Sequence, residues 1–150
     1  MTDRELLEEA LGLKELDRAG WKRVGVTNPE SVADHSFGVA LAALVLAPPH
    51  LDRARLLGMA LVHDLAEVRV GDITPHDGVP REEKRRRESV AAHEMFAHRP
   101  DLLALWAEAE AAETEEARFL KTLDRLDLRL TAERYGARGA DVSEFLHDRM

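Results

Sequence analysis

His63 and Asp64 stand side by side at the end of a stretch, Leu56 to Val62, that holds no charged residue. An unpaired carboxylate beside an imidazole is costly in apolar surroundings, and one divalent cation compensates both groups at once. Adjacent side chains on an α-helix project ~100° apart, so two neighbours can grip an ion placed over the edge between them. Glu67 follows His63 by four residues and Asp64 by three, the spacings that share a helix face. Two ligands do not complete a site. His35, followed by the apolar Phe37, Val39, Ala40 and Leu41, is a third candidate; Asp124, beside Leu120, Leu123 and Leu128, is a fourth. Two histidines and two aspartates drawn from three helices leave coordination positions open for water and phosphate, as a catalytic site requires. The chain has no cysteine. The expected cofactor is therefore one divalent ion held by nitrogen and oxygen alone: Mn, Co, Mg, Fe, Ni or Zn.

Such a cation suits phosphoryl transfer. It supplies positive charge to phosphate oxygens and makes water acidic enough to attack phosphorus near neutral pH. The departing oxygen then needs a proton, which Glu67 or Asp72 can provide if burial raises a carboxyl pKa. Arg18, Lys22, Arg23 and the Lys84 to Arg87 cluster are candidate phosphate clamps. The cluster also reads as a solvated face paired with Glu82, Glu83 and Glu88. Trp21, among basic residues, reads equally as a stacking platform for a base or sugar and as a hydrophobic plug. His93-Glu94 with His98 misses the spacing of a zincin helix by one residue. His93 and His98, like His50 and His147, are expected at the surface.

The elements that carry these residues read as helices, because strand-like alternation is almost absent. The pattern predicts a short helix over Asp3 to Leu11 ended by Gly12, a turn or two over Leu13 to Arg18, and a loop from Ala19 to Pro29. A helix over Ser31 to Ala47 is capped by Ser31 with Asp34 and stopped by Pro48-Pro49. Asp52 caps a second over Arg53 to Val70, which Gly71 ends. After a loop from Asp72 to Pro80 come helices over Arg81 to His98, Asp101 to about Glu113, and Glu115 to Tyr135. The last is capped by Thr114, with Phe119, Leu123, Leu126 and Leu130 as its apolar face. Asp141 to Met150 is a short helix or a frayed tail. The expected fold is all-α: one compact helical domain over residues 1–150, with the metal site between three helices.

Composition sets the outer limits. At 150 residues the chain has the length of one domain and can bury a real core. A net charge of −8 opposes binding to a nucleic-acid polymer but leaves room for a small phosphorylated substrate. The longest apolar run, Val39 to Ala47, is far short of the ~20 residues that span a membrane, and the acidic Met1 to Glu9 does not read as a signal peptide. A cytoplasmic protein with no membrane partner is expected.

The ordered set His, His-Asp, Asp resembles the HD-domain metal-dependent phosphohydrolase superfamily and, within it, the 5′-deoxynucleotidase group. The stretches that carry the likeness are Gly20-Trp21, Pro29 to His35, Leu61 to Glu67, Val70 to Pro75, Pro80 to Lys84 and Phe119 to Asp124. They are collinear from about Leu13 to Tyr135. The resemblance implies an all-helical fold, one divalent metal on His35, His63, Asp64 and Asp124, and release of phosphate from deoxyribonucleoside 5′-monophosphates. It also implies a catalytic role for Glu67, a site role for Asp72, and substrate contacts from Arg18 and Trp21. In the first loop, Val24 stands where the group carries an arginine, and Arg23 comes one position earlier. A homodimer is expected too, with Leu102, Leu105 and Trp106 as its apolar face. Deoxyribose is expected over ribose, with Trp21 against C2′, and little base preference, since the chain has one asparagine and no glutamine. The competing readings are an HD hydrolase of a triphosphate, cyclic dinucleotide or alarmone, and a metal-stabilised helical binding module without turnover.

Overall fold

The computed structural model describes residues 1–146. Its helices are α1 (Asp3–Ala10), α2 (Ala19–Arg23), α3 (Val32–Leu46), α4 (Arg53–Val62), α5 (Glu67–Val70), α6 (Arg81–Met95), α7 (Pro100–Ala111), α8 (Glu115–Ala137) and α9 (Ser143–Leu146). No strand forms among the described residues; one isolated bridge joins Asp17 and Ser31. The fold is all-α, as the pattern predicts. No helix of the described residues is long and apolar enough to cross a membrane.

Local chemistry sets the helix starts. Ser31 accepts from the Asp34 N–H and Asp34 accepts from the Ser31 N–H, at 3.0 and 2.9 Å, a reciprocal cap that satisfies two otherwise orphaned donors. Asp52 and Thr114 cap α4 and α8 in the predicted positions. Val39 and Ala43 of α3, Leu56 and Met59 of α4, and Leu120 and Leu123 of α8 form one buried cluster. This packing brings three remote segments to a common point: the first turns of α3, the C-terminal end of α4 and the middle of α8.

Several elements differ from the sequence reading. The helix predicted over Arg53 to Val70 breaks after Val62; residues 63–66 form tight turns and the helix resumes at Glu67. The N–H groups of Leu65, Glu67, Val68 and Arg69 bond three residues back rather than four. In such a turn the side chains at i and i+3 eclipse, which aligns Asp64 with Glu67. Neither glycine nor proline marks this break. The predicted loop from Ala19 contains the short α2, whose first N–H donates to Asp72 Oδ2 at 2.8 Å. At the start of the chain α1 ends at Ala10, and a 3-10 turn, Leu11–Glu15, runs through Gly12. On α8 the buried stripe is Ala117, Leu120, Leu123 and Ala132, while Leu130 is half-exposed. The Trp106 face expected to meet a second copy is internal: Trp106 is 5% exposed and packs with Leu6, Met95 and Phe96. Part of the Asp141 to Met150 element, with His147, lies outside the described residues.

Candidate metal centre

α3, the turn after α4, and α8 converge on His35, His63, Asp64 and Asp124. One ligand atom from each lies within 4.8 Å of all the others. His35 Nε2 is 2.5 Å from Asp124 Oδ1 and 4.0 Å from Asp64 Oδ2. His63 Nε2 is 3.2 Å from Asp64 Oδ2 and 3.6 Å from Asp124 Oδ1. His63 Nδ1 lies 2.9 Å from the Ala60 carbonyl. A carbonyl only accepts, so Nδ1 carries a hydrogen and, in the neutral ring, Nε2 presents its lone pair. That Nε2 is buried and has no hydrogen-bond partner. An orphaned imidazole lone pair facing two carboxylates is the donor set a divalent cation fits. The four residues predicted from sequence are thus brought together.

The same cluster without a cation distorts its own titration. Burial opposes a charged imidazole at His35, but hydrogen bonds to Asp124 and Asp127 outweigh it and push the pKa up to about 9. His63 is likewise raised, burial being outweighed by Asp64 and Asp124. Desolvation alone would raise the Asp64 carboxyl, yet His63 beside it holds it well below the usual carboxylate range. Asp124 is depressed in the same way by His35 and His63. Glu67 goes in the opposite direction. Burial first, then Asp64 next to it, push its pKa up to about 12, and its Oε1 is buried without a partner. Two carboxyls of opposed titration in one turn make an acid and an anion side by side.

Two cavities open onto this cluster, and Asp64, Glu67, Lys84 and Asp124 line both. The smaller, about 210 Å³, adds His63 and Lys121. The larger, about 410 Å³, adds Arg18 and Asp72, with Ile73, Leu128 and Phe145 as apolar wall. Burial opposes the charge of Arg18, but Asp72, Asp64, Glu30 and Asp124 outweigh it, so the guanidinium stays cationic. Lys84 reaches both cavities, with Glu88 3.8 Å away as its ion-pair partner.

Other expectations need revision. Trp21 lines the larger cavity but is 1% exposed. Tyr135 and Phe145 cover its ring at centroid distances of 4.9 and 4.5 Å, and its Nε1–H donates to Glu30 Oε2. It is the plug and not the stacking platform, which also removes it as the surface against C2′. Arg23 is held by Glu144 through two bonds of 2.8 Å, so it is not a free clamp. Arg86 and Arg87 pair with Glu83, the solvated-face reading of that cluster, whereas Lys84 turns to the site. His98 pairs with Asp3 and His93 with the Ser89 carbonyl, away from the metal cluster. Asp127 was not singled out from sequence: its Oδ2 is 2.7 Å from His35 Nδ1. The available signal was its place three residues after Asp124, on the same face of α8.

Residues 11–149 match the family model described as HD domain. The 5′-deoxynucleotidase HDDC2 of Bos taurus is 44% identical over 128 residues, which cover 82% of this chain and 62% of that protein. The chain thus spans about three-fifths of the length of the 5′-deoxynucleotidase HDDC2 proteins of Bos taurus, Mus musculus and Homo sapiens that it matches. Among solved structures, the PH0347 protein of Pyrococcus horikoshii OT3 superposes with a TM-score of 0.85 at 36% identity, over 94% of this chain and 83% of that one. A predicted metal-dependent phosphohydrolase from Magnetospirillum magnetotacticum MS-1 superposes with a TM-score of 0.72 at 34% identity, over 86% and 69% of the two chains.

Proposed function

The chain belongs to the HD domain family, and from that premise we propose that it is a metal-dependent phosphomonoesterase that releases phosphate from deoxyribonucleoside 5′-monophosphates. The observation that carries this reading is the buried, unpartnered Nε2 of His63, facing Asp64 and Asp124 one turn from a Glu67 carboxyl whose Oε1 is buried without a partner. His35, His63, Asp64 and Asp124 would hold one divalent ion. When bound, the cation neutralises charge on the phosphate oxygens and lowers the pKa of water.

The side chains account for the rest of the reaction. Lys84 and Arg18 offer positive charge where the two cavities meet the cluster, and so hold and orient the phosphate dianion. Hydrolysis forms a bond from water oxygen to phosphorus, breaks the bond to O5′, and moves one proton from the water to O5′. Glu67 relays that proton: it enters the cycle protonated, gives its proton to O5′ and regains one from the attacking water. With a cation held by the four ligands, the Glu67 carboxyl would ionise more readily than it does against Asp64 alone, which would suit it to pass a proton near neutral pH. Asp72 pins the N-terminus of α2 and with it Arg18. Its contribution is to place the guanidinium.

Deoxyribonucleotides should exceed ribonucleotides in specificity constant by about 10- to 100-fold, the usual reach of apolar exclusion of one hydroxyl. The apolar wall of the larger cavity, Ile73, Leu128 and Phe145, supports that choice. The test is phosphate release from dAMP, dGMP, dCMP and dTMP against AMP and GMP with added Mn or Co. Equal rates on both sugars would refute the deoxy assignment, and turnover only of triphosphates or cyclic dinucleotides would move the chain to another branch of the family.

We also propose that the chain acts as a single domain in the cytoplasm and assembles as a homodimer. With Trp106 internal, the surface offered to a second copy is the α3 stripe Phe37, Leu41 and Val45, which are 67%, 47% and 71% exposed and four residues apart. Sedimentation velocity at micromolar concentration should give a dimer that Leu41→Glu converts to monomer. A wild-type monomer would end this proposal.

A further inference from the structure

We propose that Asp127 is a positioning residue that fixes the tautomer and ring orientation of His35, and that Gly38 is glycine because the Asp127 carboxylate occupies the space its Cβ would take. The proposal rests on the reading of His35 as a metal ligand. His35 is 1% exposed and its two ring nitrogens face different carboxylates: Nε2 faces Asp124, and Nδ1 lies 2.7 Å from Asp127 Oδ2. A carboxylate only accepts, so each ring nitrogen of His35 points a hydrogen at its aspartate in the absence of a cation; a cation that took the place of the Nε2 hydrogen would meet that nitrogen's lone pair while Nδ1–H stayed on Asp127. A histidine tied in this way to a carboxylate is oriented and made a better donor toward a cation.

The glycine is independent support. Gly38 lies within α3, one turn after His35, and does not have a positive φ, so its backbone does not call for glycine. Glycine in a helix interior is unfavourable compared with alanine. A Cβ built on Gly38 would lie 2.0 Å from Asp127 Oδ1 and 2.9 Å from its Cγ. The carboxylate therefore sits against the backbone of α3, in a space that any side chain on Gly38 would close. Glu30, His35 and Asp127 also bring ligand atoms within 4.8 Å of one another, which raises the question of a second ion. Two contacts speak against it. Nδ1 and Oδ2 are already at hydrogen-bond length, and Glu30 Oε2 accepts from Trp21 Nε1–H at 3.0 Å.

The test measures cation affinity by competition with a chromophoric chelator, in wild type, Asp127→Asn, Gly38→Ala and the double variant. It also follows the ¹H–¹⁵N correlations of the histidine rings with and without Zn. Asp127→Asn should bind Zn or Co about 10- to 100-fold more weakly, the usual effect of losing a carboxylate behind a metal-ligating histidine. Gly38→Ala should lose affinity in the same range although it removes no ligand and no charge, and although alanine is the better helix former. The double variant should lose no more than the worse single, because both act through one hydrogen bond. The His35 Nδ1–H correlation should be present in wild type and shifted or lost in each variant. Affinities within twofold of wild type in both single variants, with an unchanged His35 correlation, would overturn the proposal. So would two ions per chain in the wild-type titration. If Asp127→Asn does not fold, Gly38→Ala alone decides. Failure of the parent reading is distinguishable: wild type would then bind no cation, while the metal-free His35 correlation would still report the Asp127 contact.

Discussion

Replacing Glu67 with glutamine is expected to lower kcat for phosphate release about 10²- to 10⁴-fold while the cation stays bound. Glutamine keeps the size and one oxygen of the side chain and removes only the transferable proton. The carboxyl is buried against Asp64 with an unpartnered oxygen, so no other group in the turn substitutes for it. Two measurements separate chemistry from assembly: steady-state turnover on a deoxynucleotide, and metal content after desalting. A drop in kcat with full metal content places the proton step on Glu67. Loss of metal in parallel would make it a ligand. Full activity would pass the proton to Asp72, a carboxyl of the larger cavity that is not among the four metal ligands.

Removing the cation should cost the fold a second large quantity. At a free-ion concentration a hundredfold above the dissociation constant, binding adds about 2.7 kcal/mol of stability. For a chain of this length that is a drop of roughly 5–10 °C in Tm when EDTA strips the site, at 2–4 °C per kcal/mol. The drop should itself depend on pH. In the stripped protein His35 has its pKa raised from 6.5 to about 9 and Glu67 from 4.5 to about 12, and His63 is raised too. Groups raised on folding hold extra protons in the native state. Their stabilisation is full below the unfolded pKa and is lost as pH rises through the folded one, so the stripped protein should weaken steadily from about pH 5 to pH 9. The depressed Asp64 and Asp124 act the other way, but only below the ordinary carboxylate range near 3.8. A cation needs both imidazoles neutral, so its affinity rises with pH. The gap in Tm between loaded and stripped protein should therefore widen from pH 6 to pH 9. Calorimetry at three pH values checks it, with Asp64→Asn as the variant in which the gap should vanish. A gap that stays constant or narrows would remove the metal from this cluster.

The four clustered ligands were legible in the sequence because each is a polar residue set in apolar surroundings, a conflict that packing alone does not resolve. Helix starts were legible for a similar local reason, since Ser31, Asp52 and Thr114 carry their caps with them. What escaped was set by partners remote in the chain. Tyr135 and Phe145, more than a hundred residues away, cover the Trp21 ring and settle it as a plug. In sequence Asp127 is one more charge on a charged helix, and its role depends on α3 lying against it with Gly38 at the contact. The break at residues 63–66 has no breaker residue. It is held by bonds three residues back, and it is what aligns Asp64 with Glu67.

The length of α8 has a consequence for tolerance to insertion and deletion. This one helix carries Asp124 at the metal cluster, Asp127 against His35, and Tyr135, whose oxygen accepts from the Glu30 N–H beside the Trp21 plug. Asp124 and Tyr135 are separated by about 16 Å along the axis at 1.5 Å per residue, and every position between them turns the remainder by ~100°. Adding or removing one residue there would leave hydropathy and helix propensity nearly unchanged, yet it would swing either the carboxylates off the metal cluster or the tyrosine off Glu30 and the Trp21 ring. Reading frame within α8 is thus a geometric ruler, and length changes among relatives should fall outside the span from 124 to 135.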